Sequence, residues 1–225
     1  MNKMYNFIKV HGRKSRGLAK YQNKEDFLHF KENYFLKSDF SLNDIPKAKK
    51  LVLEIGFGDG EHLVWRAKNN ADTSYIGCDV FINGIYKALQ KAQQEGVLDR
   101  IRIYPFTCLQ LVEMLPDKCL DQVYILFPDP WRKRRHYKRR VINTLFLNML
   151  SKKMKDDSLL SIASDHADYI EAILECVINC KNFNWEVNST FQLLNMPVDH
   201  TVTKYQTKAL NEGRRSWYLQ CSKII

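Results

Sequence analysis

The sequence predicts an α/β fold: a doubly wound, mostly parallel sheet with an antiparallel C-terminal edge hairpin. Three observations carry that expectation. The apolar run Leu51-Val52-Leu53-Glu54-Ile55 ends in the glycine turn Gly56-Phe57-Gly58-Asp59-Gly60. Further short apolar runs recur at residues 74–80, 100–106, 120–127 and 158–164, with helical stretches between them. Ile170, Ile173, Leu174, Val177 and Ile178 then follow the i, i+3, i+4, i+7, i+8 spacing of an amphipathic helix. Strands that alternate with helices pair in parallel, because each crossover helix returns the chain to the same end of the sheet.

Taken in order, the first strand and its glycine turn lead into a helix over residues 62–69. After the second strand, Ile82, Ile85, Tyr86 and Leu89 form the stripe of another helix. Residues 143–154 are expected to be helical before the fifth strand. The last apolar-aromatic stretches, 183–187 and 216–222, have no clear helix between them and are expected to pair as the edge hairpin. Residues 1–40 are polar and basic and form an expected N-terminal extension, with 41–225 as a single domain.

The 225 residues, 45% of them hydrophobic, suffice for one sizeable core. No apolar run approaches the roughly 20 residues needed to span a bilayer, and the N-terminus lacks the apolar segment of a signal peptide. A soluble, cytoplasmic protein is expected, a monomer or homodimer. The six cysteines show neither Cys-x-x-Cys pairs nor zinc-type His spacing, so they are expected to be reduced and to serve as small core hydrophobes, with no metal bound.

The formal charge is +10, and its distribution is uneven. Residues 1–50 hold 12 Lys/Arg against 5 Asp/Glu, and seven of the ten residues from 131 to 140 are Lys or Arg. Arg132, Lys133, Arg134, Arg135, Lys138, Arg139 and Arg140 directly follow Phe127-Pro128-Asp129-Pro130-Trp131. A solvated basic helix start would account for the charge but not for the rigid Pro-Asp-Pro-Trp before it. A carboxylate between prolines, beside a focused positive field, fits a reactive pocket flanking a polyanion surface.

The glycine turn decides what binds at the carboxyl ends of the strands. A dinucleotide site calls for Gly-x-Gly-x-x-Gly, but Glu61 stands at the third glycine position, and Asp59 would further repel a pyrophosphate. Any tight strand-helix turn uses glycine, so the turn alone is weak. Asp79 ends the second strand 25 residues after Glu54, placed either to accept both ribose hydroxyls or to cap the next helix. An ammonium partner at Glu54 and a ribose partner at Asp79, without a phosphate cradle, suit S-adenosylmethionine better than a nicotinamide dinucleotide.

With these residues the chain resembles the bacterial tRNA (guanine-N7)-methyltransferase family. The resemblance rests on Leu53-Glu54-Ile55-Gly56-Phe57-Gly58, on Phe127-Pro128-Asp129-Pro130-Trp131-x-Lys133-x-Arg135-His136-x-Lys138-Arg139-Arg140, on Ser164-Asp165, on Thr203-Lys204-Tyr205 and on Gly12-Arg13-x-x-x-Gly17. It implies a Rossmann-like class I methyltransferase fold, S-adenosylmethionine as cofactor and tRNA as partner, with a guanine of the variable loop as target. It further implies cofactor contacts from Glu54, Gly56, Gly58, Asp79, Phe106, Thr107 and Asp129, with Asp129 catalytic. Substrate contacts would come from Lys133, Asp165, Thr203, Lys204, Tyr205 and Gln206, and RNA phosphate contacts from Arg132, Arg134, Arg135, Lys138, Arg139 and Arg140. Two positions depart from the family pattern: Gln206 replaces a usual Glu, and Phe106-Thr107 stand where an acidic residue near adenine is usual.

The implied chemistry is economical. Guanine N7 bears a lone pair and no proton, so methylation there requires positioning and charge stabilisation, not a base. Asp129 either orients the guanine through its Watson-Crick donors or stabilises the positive charge that develops on the ring. Trp131 either stacks on the target base or anchors the loop. In an A-form helix the N7 edge faces a deep groove that side chains do not enter, so the target base must lie in a loop or be extruded.

Overall fold

The computed structural model describes residues 25–185 and 190–224. Helix α1 (Glu25–Tyr34) precedes β1 (Lys50–Ile55), α2 (Glu61–Asn69), β2 (Thr73–Cys78), α3 (Ile82–Gln94), β3 (Ile101–Tyr104), α4 (Cys108–Met114) and β4 (Leu120–Leu126). A 3-10 turn at Arg134–Arg139 leads to α5 (Thr144–Lys153), β5 (Met154–Ser164), α6 (Ala167–Asn179), β6 (Phe183–Asn184), α7 (Thr190–Leu194), α8 (Lys204–Asn211) and β7 (Trp217–Lys223). The strands form one sheet in the order β3-β2-β1-β4-β5-β7-β6. The first five in that order run parallel, and β7 runs antiparallel to both β5 and β6. The predicted doubly wound sheet is therefore what forms, with its order reversing between β1 and β4, where such sheets bind ligands.

Side-chain alternation along β1 divides the core. Leu53 and Ile55 enter the cluster built with α5 and α6, whereas Val52 enters the cluster built with α2 and α3. Glu54 shares the Val52 face and so points toward α2. Strand β2 is buried at all six positions, as expected for an inner parallel strand covered on both faces. In α6 the predicted stripe is buried at Ile170, Ile173 and Val177, but Ile178, next to the helix end, faces solvent. Cys78, Cys180 and Cys221 are buried, in keeping with their expected packing role.

Two boundaries differ from the sequence expectation. Helix α1 falls within the expected extension, yet Phe27 and Phe30 are buried against Tyr86, and the Leu36 amide donates to the Ile103 carbonyl (2.7 Å). Aromatic anchors thus fix residues 25–36 to the sheet's β3 edge, while residues 1–24, including Gly12-Arg13-x-x-x-Gly17, lie outside the described residues. The predicted C-terminal strands do pair, but not as a simple hairpin. Strand β7 inserts between β5 and β6, and α7 and α8 lie between β6 and β7 in the chain. Both helices are short, and α8 buries only Gln206 and Ala209, so neither shows a long apolar stripe. Among the described residues no helix is long and apolar enough to cross a membrane.

Candidate active site

At the carboxyl end of β1 the chain turns through Gly56, Gly58 and Gly60, all with positive φ (74°, 57° and 78°). Close approach demands glycine most strictly at position 60, where a Cβ would stand 2.4 Å from the Ala88 Cβ. Gly84 of α3, which sequence reasoning passed over, is equally constrained, since a Cβ there would lie 2.4 Å from the Gly58 carbonyl oxygen. These two positions let α3 press its first turn against the glycine loop. Asp79 fastens the same junction: one carboxylate oxygen accepts from the Gly58 amide (2.9 Å) and the other from the Phe81 amide (2.8 Å). Phe81, not Asp79, is the N-cap residue of α3, so the capping alternative does not hold. Burial pushes the Asp79 carboxyl above its ordinary range against the pull of those amides, and nearby Asp129 adds to the rise. Each Asp79 oxygen retains a lone pair, so the carboxylate fits a ribose diol at the edge of an open glycine turn. The acidic side chains of the turn are paired with lysines, Asp59 with Lys87 and Lys204 and Glu61 with Lys91.

Glu54 lies at the end of β1, as its sequence position implies, with its carboxylate paired inside the chain. It is 3% exposed, and its Oε2 lies 2.8 Å from Nδ1 of His62, itself 1% exposed. The carboxylate sits at the floor of the turn with a histidine partner, because the β1 alternation aims it at α2. Phe106 is exposed beyond β3, and Thr107 caps α4 in a reciprocal capping box with Gln110. The Thr107 hydroxyl thus serves the helix, whereas Phe106 offers an open ring beside the cleft.

Past β4, the backbone of Phe127 (φ 49°) and Trp131 (φ 45°) adopts the left-handed region on both sides of Pro128-Asp129-Pro130. Such strain at non-glycine residues persists only where surrounding contacts hold it. The Phe127 amide donates to the Ala163 carbonyl (2.8 Å), and Arg140 Nε donates to the Pro130 carbonyl (2.9 Å). The Arg140 guanidinium also lies 3.7 Å from the Tyr137 ring centroid and 4.6 Å from that of Tyr169. Arg140 is buried, 7% exposed, and its role as a phosphate contact is corrected to that of loop clamp. Arg139 stacks over Trp131 (4.8 Å), so the tryptophan is engaged within the loop. Arg132, Lys133, Arg134, Arg135 and Lys138 remain exposed, and Asp129 presents its exposed carboxylate between this strip and Asp79.

The segment carrying Thr203, Lys204, Tyr205 and Gln206 roofs the glycine turn. Lys204 Nζ donates to Asp59 (3.0 Å), which Lys87 also engages (3.1 Å). Although burial acts to raise the Asp59 carboxyl, these two ammonium groups hold it below its ordinary value. The Tyr205 ring lies over Gly58, and burial, with the charge of Asp79, raises its hydroxyl pKa. Thr203 is buried and caps α8, accepting from the Gln206 amide (3.2 Å). Upstream, Asp199 accepts from Tyr124 (3.0 Å) and Arg66 (3.1 Å), anchoring the segment to β4 and α2. His200 is buried beside His62, with ring centroids 4.4 Å apart. Burial, aided by His62, lowers the His200 pKa to about 3.

Asp165, at the end of β5, accepts from Arg214 Nε (2.8 Å). A cleft of about 410 Å³ lies nearby, lined in part by Asn195, Met196, Gln206, Arg214, Ser216 and Tyr218; its lining includes no residue of the glycine turn. Sequence reasoning thus found the residues around the turn and the basic strip. It missed the partners that hold them, namely His62, Arg66, Asp199, His200 and Arg214, because these join segments far apart in sequence and form no local motif.

Residues 48–219 match a family model described as a putative methyltransferase. A tRNA (guanine-N(7)-)-methyltransferase of Hyphomonas neptunium is 37% identical, covering 77% of this chain and 78% of its own. One from Caulobacter vibrioides is 39% identical over 76% of this chain and 75% of its own. A solved antibiotic-related methyltransferase superposes with a TM-score of 0.53 at 21% identity, covering 84% of this chain and 97% of that one, which shows the shared fold.

Proposed function

Since the chain belongs to the tRNA (guanine-N7-)-methyltransferase family, we propose that its carboxyl-end cleft transfers a methyl group from S-adenosylmethionine to N7 of a guanine in the tRNA variable loop. The observation that carries the site assignment is the meeting of Asp79, Gly58, Tyr205 and Asp129 over one strained loop that continues into the exposed basic strip. Asp79 and the glycine turn would hold the cofactor, and Phe106, exposed beyond β3, would contribute from the neighbouring strand end. Bound there, the cofactor supplies an electrophilic methyl on a sulfonium sulfur.

The chain's own residues do the remainder. Tyr205 lies over Gly58 and borders the turn from above. Asp129, exposed at the rim and fixed between two prolines, presents negative charge toward a guanine ring that becomes positive as N7 acquires the methyl. A carboxylate held in place before the reaction gains most from this, because it needs no reorganisation as the charge develops. No group has to accept a proton from N7. Gln206 and Arg214 line the flanking cleft, with Asp165 held by Arg214, and Arg132, Lys133, Arg134, Arg135 and Lys138 supply phosphate contacts along the RNA backbone.

Incubation with methyl-labelled S-adenosylmethionine and, separately, tRNA, DNA or protein tests this directly. Label is expected in tRNA alone. Asp129→Ala should lower the transfer rate roughly a hundredfold or more with cofactor affinity retained. Labelled protein or DNA would contradict the substrate, and full activity of Asp129→Ala would contradict the role of that carboxylate.

A further inference from the structure

A buried carboxylate requires a partner, and Glu54 has a specific one. It lies beneath the glycine turn with its side chain 4% exposed, and His62 Nδ1 stands 2.8 Å from its Oε2. A carboxylate accepts hydrogen bonds, and the imidazole tautomer with its proton on Nδ1 completes this one. The imidazole is held by rings on three sides: Tyr124 edge-on at 4.5 Å, His200 at 4.4 Å and Trp65 stacked at 6.5 Å. Its other nitrogen, Nε2, is buried and has no hydrogen-bond partner, and neither ring nitrogen of His200 has one. The one hydrogen bond of the His62 ring is therefore directed at the carboxylate.

From this geometry we infer that His62 is a positioning residue for the cofactor: it orients Glu54 beneath the glycine turn, and His200 buttresses its ring. The inference rests on the cofactor site proposed above. Glu54 follows Leu53 at the end of β1 and precedes Ile55-Gly56, so a rotated or unpaired carboxylate there would disturb the floor on which the cofactor lies. His62 acts from the second residue of α2, which Gly60 places immediately after the turn. The same helix supplies Arg66 to Asp199, so the floor and the anchored end of the roof share one rigid element.

The test compares His62→Leu, which removes the donor, with His62→Asn, whose side-chain amide places a donor where Nδ1 stands. Both are titrated with S-adenosylhomocysteine by calorimetry, and their thermal unfolding is recorded. His62→Leu should weaken binding roughly ten- to a hundredfold, as expected for losing a hydrogen bond to a charged group. His62→Asn should recover most of that loss even though it lacks the ring contacts. Wild-type affinity in His62→Leu would overturn the inference. So would equal losses in both variants, which would make His62 a packing residue only. Should His62→Leu fail to fold, the His62 Nδ1–H proton resonance in histidine-labelled wild-type protein decides: it must shift on saturation with S-adenosylhomocysteine, and a fixed resonance overturns the proposal. Wild-type protein that binds S-adenosylhomocysteine but methylates no tRNA would contradict the functional reading while leaving this inference standing.

Discussion

Asp79 staples the architecture at the place proposed for the ligand. Its carboxylate joins the first two strand ends through the Gly58 and Phe81 amides, so Asp79→Ala should weaken S-adenosylhomocysteine binding and also lower stability. Each lost hydrogen bond to charge is worth about 1.5–3 kcal/mol. Calorimetric titration together with chemical denaturation separates the two effects, and unchanged cofactor affinity would leave Asp79 only its stapling role. His200 makes a second prediction at this scale. Its pKa, lowered by burial to about 3 from an ordinary 6.5, leaves the folded state neutral in a range where the unfolded chain takes up a proton. Above pH 6.5 both states are neutral and this residue contributes no pH dependence. Between pH 6.5 and about 3 it should reduce stability as pH falls, by at most about 1.4 kcal/mol per pH unit. The wild-type denaturation midpoint should accordingly fall relative to that of His200→Leu as pH is lowered across that window, and parallel curves would contradict it.

The loop between β4 and α5 divides its cations between two tasks, which mutation should separate. Arg140 ties the Pro130 carbonyl and lies against Tyr137 and Tyr169, so Arg140→Ala should destabilise the fold by roughly 2–4 kcal/mol. Replacing Arg132, Arg134 and Arg135 together by Glu should instead preserve the unfolding midpoint and cofactor affinity while abolishing tRNA binding. Wild-type affinity should fall with salt at a logarithmic slope of about −0.7 to −0.9 per phosphate contact. A salt-independent affinity, or an Arg140→Ala protein as stable as wild type, would reverse these assignments. From the sequence these arginines are indistinguishable, since they sit in one dense basic segment. What separates them is tertiary contact: Arg140 reaches the Pro130 carbonyl and the Tyr137 and Tyr169 rings and is buried there.

At the scale of the whole molecule, the parallel sheet was legible because each inner strand is a short apolar run closed by a turn, and the helices on its faces keep their apolar stripes. The edge was less so: β6 has two residues, and β7 reaches its place between β5 and β6 only after two helices too short to show an apolar stripe. Glu54 shows the same limit at the site. Its position at the strand end was visible, but its partner depended on which face of β1 met α2, and that is settled by packing. The cofactor turn, Asp79 and the Pro-Asp-Pro loop were legible because each is local in sequence; the network of Arg66, Tyr124 and Asp199 was not, since it spans 133 residues between Arg66 and Asp199. The function proposed for this assembly is methyl transfer to one guanine N7 of tRNA. The most direct measurement is nucleoside mass spectrometry of tRNA treated with the protein and S-adenosylmethionine, followed by fragment mapping. The account predicts N7-methylguanosine, confined to the variable loop. A methyl group on ribose, on the exocyclic amine of guanine or on another base would contradict it.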